Sequence, residues 1–317
     1  MTAGAVRAHP APGAGAAPPP SLAGALARRE LLPDHVAWRR LSGGRTNELW
    51  LARGATDRGL VCKIYPPGHD TPLFPNRPRD EAAALASLRG SGLAPRPVAR
   101  LALPEGPCLI YGYLPGRTGT ADPGEAGGLL RRLHDLPPPP LPRCAASADA
   151  LRRQGDAMLD GLTDRQAAAE LRHRRPEPCE TPGDAVPAVF LHGDPVPSNI
   201  LSGPDGPALI DWQCPARGDP VLDLALFLSP AMQVLETGRP LSRRQEAAFF
   251  AAYGDRAAQR RLHRLAPVLH WRMAVYCQWR IERGDAAYRP ALAAELARLD
   301  HVGQPDQHGH PAGAQGH

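Results

Sequence analysis

Residues 191–224 read LHGDPVPSNILSGPDGPALIDWQCPARGDPVLDL, and this stretch decides the fold. Asp194, Asn199 and Asp211 stand in it in order, five and then twelve residues apart. Pro195 and Pro197 oppose a helix, so 194–199 is predicted to be a tight loop. A short apolar strand comes next at 199–201. Gly203 and Gly206 frame a turn, and a second strand over 208–210 ends at Asp211. Such a hairpin sets an amide oxygen beside a carboxylate, a pair suited to a hard divalent cation that also binds phosphate oxygens. Asp194 stands nearby as a group able to receive a hydroxyl proton.

Upstream the pattern is strand-rich. Strands are predicted at 48–52, at 60–65 (LVCKIY) and at 108–113 (CLIYGY), with a helix at 80–89 (DEAAALASLR). From residue 125 onward helices dominate: 127–136, 149–162, 243–252, 256–284 with Pro267 as its weak point, and 290–299. The Pro-rich pieces 137–142 and 176–187 read as loops. A β-rich first quarter followed by a helical remainder predicts an α+β, bilobal architecture. The expected lobes are 30–114, small and β-rich, and 115–301, larger and helical, joined near the LPG turn at 114–116. Residues 1–29 and 302–317, rich in Ala, Pro, Gly, His and Gln, are expected to be disordered tails.

Composition narrows the function. The net charge of +5 is small and scattered, with no basic run interleaved with aromatics, so a nucleic-acid partner is not expected. No apolar run is long enough to span a membrane, and 1–29 lacks the pattern of a secretory signal. The six cysteines form no C-x-x-C pair, which speaks against a metal cluster and fits a reducing cytoplasm. Of 37 basic residues, 36 are Arg and only Lys63 is Lys; Asn occurs at 47, 76 and 199 alone. That bias suggests a GC-rich genome in which an exposed Lys drifts readily to Arg. A surviving Lys then marks a place where a planar guanidinium will not serve.

The motifs together carry a resemblance. His192-Gly193-Asp194 with Asn199 resembles the H-G-D-x-x-x-x-N catalytic loop of the aminoglycoside phosphotransferase and choline kinase family, the counterpart of the protein-kinase H-R-D loop. Ile210-Asp211-Trp212 is similar to that family's metal-binding segment. The run from Gly218-Asp219-Pro220 to Asp223-Leu224-Ala225 is similar to the family's G-D-P-x-x-D-L-A motif. The resemblance covers about 38–230. It implies a protein-kinase-like fold and transfer of the ATP γ-phosphate to a small-molecule hydroxyl. Asp194 would be the catalytic base, and Asn199 and Asp211 would hold Mg²⁺. Ser42, Gly43, Gly44 and Thr46 would form the turn over the phosphates. Lys63 would contact the phosphates and pair with Glu81, Asp80 being the weaker choice. His192 would orient the loop, Asp219 would cap a helix, and Asp223 would receive loop backbone N–H groups. Residues 107–116 would be the hinge that holds adenine. His134 is read as a core histidine.

The acceptor is the least constrained part. The helix at 269–284 (LHWRMAVYCQWRIERG) is loosely similar to a late helix of choline kinases. Trp271, Tyr276, Trp279 and Glu282 there either cage a cation or pack the core. Residues 226–301 hold seven acidic residues against twelve Arg, a poor match for a polycationic aminoglycoside. The expected acceptor is an amino alcohol such as choline or ethanolamine. Thiamine, homoserine, a sugar or an aminoglycoside are the alternatives, as is a nucleotide-binding pseudokinase scaffold.

Overall fold

A computed structural model of the chain describes residues 17–32, 35–41, 46–54, 59–177 and 186–302. Helix α1 (Pro20–Ala27) is followed by strands β1 (Ala37–Arg40), β2 (Glu48–Arg53) and β3 (Gly59–Ile64). Helix α2 (Pro78–Ser87) and strands β4 (Pro97–Leu103) and β5 (Gly106–Gly112) come next. The five strands form one antiparallel sheet in the order β1-β2-β3-β5-β4.

Both faces of this sheet are buried, and the period-2 alternation of strands assigns them. Trp50, Cys62, Ile64, Cys108 and Ile110 face an outer cluster with Leu22 and Leu26 of α1. Leu51, Val61, Leu109 and Tyr111 face the main core together with Ala84 and Leu85 of α2. Lys63 lies two residues from Val61, so its side chain points to the core side, where the rest of the molecule packs.

The disorder expected over 1–29 does not extend to α1. Composition suggests a tail, but Pro20 sits in the first helical turn, where its missing N–H costs nothing. Leu22 and Leu26, one turn apart, are 0% exposed. Val302, the first residue of the other expected tail, closes the last helix, and residues 1–16 and 303–317 lie outside the described residues.

Beyond β5 the order is β6 (Arg117–Thr118), α3 (Pro123–His134), β7 (Arg143–Cys144), α4 (Ala148–Asp160), α5 (Arg165–His173) and β8 (Val189–Leu191). A single 3-10 turn (Pro197–Asn199) leads into the hairpin β9 (Ile200–Gly203) and β10 (Gly206–Leu209), then β11 (Ala216–Gly218). Helices α6 (Val221–Leu228), α7 (Pro230–Thr237), α8 (Arg243–Tyr253), α9 (Arg256–Glu282) and α10 (Tyr288–Val302) complete the chain. Side-chain caps start several of them: Ser147 on α4, Asp164 on α5, Ser242 in a capping box on α8, and Asp255 on α9. Helix α9 runs through Pro267 unbroken. The lost backbone bond is offset by burial, since Val268, Leu269 and 271–278 are all buried. The architecture is α+β, a strand-rich first part followed by a helical remainder.

Candidate functional site

The hairpin expected from the sequence brings Asn199 and Asp211 to one end, where Ile210 N donates to Asn199 O at 2.9 Å. The loop before it is held from below. Asp223, 0% exposed, accepts from His192 N at 2.8 Å and Gly193 N at 2.9 Å, and His134 Nε2 reaches the same carboxylate at 3.1 Å. Gly193 has φ +84°, and a Cβ there would run into the Cys214 carbonyl, so only glycine fits. His192 Nε2 donates to Ile210 O at 3.0 Å while its Nδ1 accepts from Asp194 N at 3.2 Å. One nitrogen donates and one accepts, which is the neutral imidazole, and burial lowers the His192 pKa accordingly. Trp212, fully buried, packs its ring 4.5 Å from that of His192 and donates to Leu209 O at 2.9 Å. This anchored neighbour holds Asp211 at φ +61°, a left-handed conformation that Asp tolerates better than most residues.

Asn199 Nδ2 donates to Asp194 O at 2.9 Å and to Asp194 Oδ2 at 3.3 Å. Both bonds use the nitrogen, so the amide oxygen is the atom left for another ligand. Asp219 accepts from Val221 N at 3.1 Å at the start of α6 and pairs with Arg261.

Lys63 bonds Glu81 at 2.6 Å and also Asp211. Both Lys63 and Glu81 side chains are 1% exposed, and Tyr65 donates to Glu81 as well. Asp80 instead lies 3.8 Å from Arg77. Burial alone would lower the Lys63 pKa, but Asp211 and Glu81 outweigh it and keep the ammonium charged. Glu81 is pushed up, first by burial and then by the neighbouring Asp211 charge, against the lowering effect of Lys63. Asp194 is pushed well above the usual carboxylate range by burial, with Asp211 and Glu236 adding to it.

Asp194, Asn199, Asp211 and Thr46 line one cleft of about 650 Å³. Lys63 and Glu81 sit behind its Asp211 wall. Ser42, Gly43 and Gly44 lie outside the described residues. Thr71, Phe74, Gln213, Glu236, Arg280 and Tyr288 also line the cleft, and none of them belongs to a motif. Of the four candidates on α9, only Tyr276 reaches it. Trp271 is fully buried and donates to Leu171 O at 2.7 Å. Trp279 stacks under the Arg283 guanidinium at 3.8 Å, and Glu282 holds Thr163 N and Oγ1 at 2.7 and 2.8 Å. Helical spacing places Trp271 and Glu282 on one face, but that face is spent on α4, α5 and the Thr163–Asp164 connection between them.

The fold and the cleft define a protein-kinase-like phosphotransferase acting on an alcohol group. The chain belongs to the phosphotransferase enzyme family, whose model matches residues 37–268. Solved structures agree in fold. Choline kinase LicA from Streptococcus pneumoniae superposes with a TM-score of 0.60 at 17% identity, covering 88% of this chain and 98% of that one. A choline/ethanolamine kinase family protein from Mesorhizobium loti gives 0.59 at 17% identity, over 90% and 96% of the two chains. An aminoglycoside-3'-phosphotransferase of type VIII gives 0.53 at 23% identity, over 78% and 98%. Among curated proteins no sequence matches this chain. No helix among the described residues is long and apolar enough to cross a membrane.

Proposed function

We propose that this chain transfers the γ-phosphate of ATP to the hydroxyl of a small amino alcohol such as choline or ethanolamine. The observation that carries the reading is the convergence of Asp194, Asn199 and Asp211 on a cleft that Glu236, Phe74, Tyr276 and Tyr288 also line. LicA has also been solved in complex with AMP, in keeping with a nucleotide in this fold.

Mg²⁺ fits the residues present. Lys63 alone serves two carboxylates, and the Asp211 carboxylate and Asn199 amide oxygen are hard donors facing one cleft. When bound, the ion would neutralise charge on the phosphate oxygens. Asp211 and Asn199 would hold it. Lys63 would place the phosphates, aided by the segment at 42–46. Asp194 would orient the acceptor hydroxyl and take its proton as the new O–P bond forms and ADP leaves. Asp194 must be ionised to take that proton, and its raised pKa makes the ionised carboxylate the stronger base. Positioning and charge neutralisation would supply most of the acceleration.

The cleft also favours a cationic acceptor. The net basic count of 226–301 does not describe it. Among the described residues Arg280 is the one Arg lining the cleft, and it is paired with Asp285 at 2.8 Å. Glu236 and three aromatic rings are the groups that would meet an ammonium.

ADP release measured across choline, ethanolamine, thiamine, homoserine and aminoglycosides tests this. The amino alcohols are expected to be turned over at least about tenfold more efficiently than the rest, a difference of about 1.4 kcal/mol. A faster homoserine, thiamine or aminoglycoside would replace the acceptor. No release with any acceptor would leave a nucleotide-binding scaffold.

A further inference from the structure

Three amide side chains meet where the strand-rich and helical parts of the molecule join. Asn47 Nδ2 donates to Asn76 Oδ1 at 3.0 Å and to Gln213 Oε1 at 3.2 Å. Asn76 Nδ2 returns a bond to Asn47 Oδ1 at 2.8 Å. Asn47 and Gln213 are 8% and 7% exposed. The three residues come from segments far apart in the chain, and each segment carries part of the site. Asn47 follows Thr46 and immediately precedes β2. Asn76 leads into α2, which carries Glu81. Gln213 lies two residues beyond Asp211. Its backbone ties the same pieces, since Arg77 N donates to Gln213 O at 2.9 Å. Gln213 and Thr46 both line the cleft.

We propose that Gln213 is a positioning residue, and that the Asn47–Asn76–Gln213 cluster aligns Thr46 and α2 with Asp211 so that nucleotide is bound. This rests on the phosphotransfer reading above. The physical case has two parts. A buried amide costs free energy unless its bonds are made, and apolar side chains of equal size would hold these segments together as well. What amides add is direction: each bond fixes the register of one segment against another. The second part is scarcity. The chain holds three asparagines in 317 residues. Two form this cluster, and the third, Asn199, faces the same cleft. Where Asn is otherwise almost excluded, its retention at one junction points to a geometric demand.

The test uses the full chain and four proteins: wild type, Asn47→Ala, Gln213→Met and the double variant. ATP affinity is measured by calorimetry with Mg²⁺ present. Choline affinity, kcat and Tm are measured alongside. Each single change is expected to weaken ATP binding about tenfold, or about 1.4 kcal/mol. The double variant should fall no more than about threefold below the weaker single, because both changes break the same link. Tm should stay within about 2 °C for Gln213→Met, which keeps the volume of the side chain. Unchanged ATP affinity with a lowered Tm would make the cluster merely structural and overturn the proposal, as would fully additive losses. If Asn47→Ala fails to fold, Gln213→Met alone decides by whether ATP affinity falls. Wild-type protein that binds no ATP would sink the phosphotransfer reading itself. Wild type that binds ATP while Gln213→Met binds it equally well would sink only the role of Gln213.

Discussion

Lys63 is the one lysine of the chain, and its surroundings give the reason a chemical form. Sequence alone suggests that Lys63→Arg keeps the fold, on the view that the head group reaches water. The structure corrects this: Lys63 is enclosed by Glu81, Asp211 and the Tyr65 ring. A guanidinium is wider and planar, and cannot place one point charge between two carboxylates. Lys63→Arg is therefore expected to lower activity at least tenfold, about 1.4 kcal/mol, and also to lower Tm. Steady-state kinetics and thermal melts check both, and full activity with an unchanged Tm would mean the lysine survived by chance. Asp194 behaves differently. Its raised pKa means that the folded protein holds a proton which the unfolded chain has released. Stability from this group is then present at low pH and is lost as pH rises from about 3.9, the ordinary Asp value, through the raised one. Asp194→Asn removes that loss. Its Tm at about pH 7.5 should exceed wild type, while turnover falls by about 10²–10⁴. A lower Tm or near-normal turnover would contradict the role.

Among the elements, α1 is the least expected. Pro, Ala and Gly dominate its surroundings, yet two leucines one turn apart close the outer face of the sheet. Leu26→Ala should destabilise the protein by about 2–4 kcal/mol, the usual cost of a truncated buried leucine. Urea unfolding measures this, and a change below about 0.5 kcal/mol would show that α1 does not hold the sheet. Helix α9 carries the opposite lesson. Its aromatic and acidic residues share a face by spacing, but Trp271 is used against α4 and α5 and Glu282 against the connection between them. Periodicity identifies which residues are neighbours along a helix, not which partner they meet.

At the scale of the molecule, the cleft draws on both parts of the chain: Thr46, Thr71 and Phe74 from the strand-rich part, Asp194, Asn199 and Asp211 from the hairpin region. A ligand that binds only the folded state at a hundred times its Kd stabilises by about 2.7 kcal/mol. ATP with Mg²⁺ should therefore raise Tm clearly. Chelation by EDTA should remove most of the shift, and Asp211→Asn should blunt it, because a carboxylate donor becomes neutral. An equal shift with and without Mg²⁺ would remove Asp211 from the set of metal ligands.

Local chemistry makes much of this readable in advance. Prolines and glycines bound the loop and hairpin of 191–224, so their order along the chain dictates that Asn199 and Asp211 meet. The α+β class arises from a strand-period pattern giving way to a helical one. A lone Lys and three Asn survive as marks against a strong compositional bias. Other features depend on contacts between distant segments, which no local pattern encodes. These are the burial of Lys63, the Asn47–Gln213 bond across 166 residues, the docking of α1, and the arrival of Glu236, Phe74 and Tyr288 in one cleft. Secondary structure is set by neighbours within a few residues, whereas burial and a cleft's lining are set by packing, which only the folded chain decides.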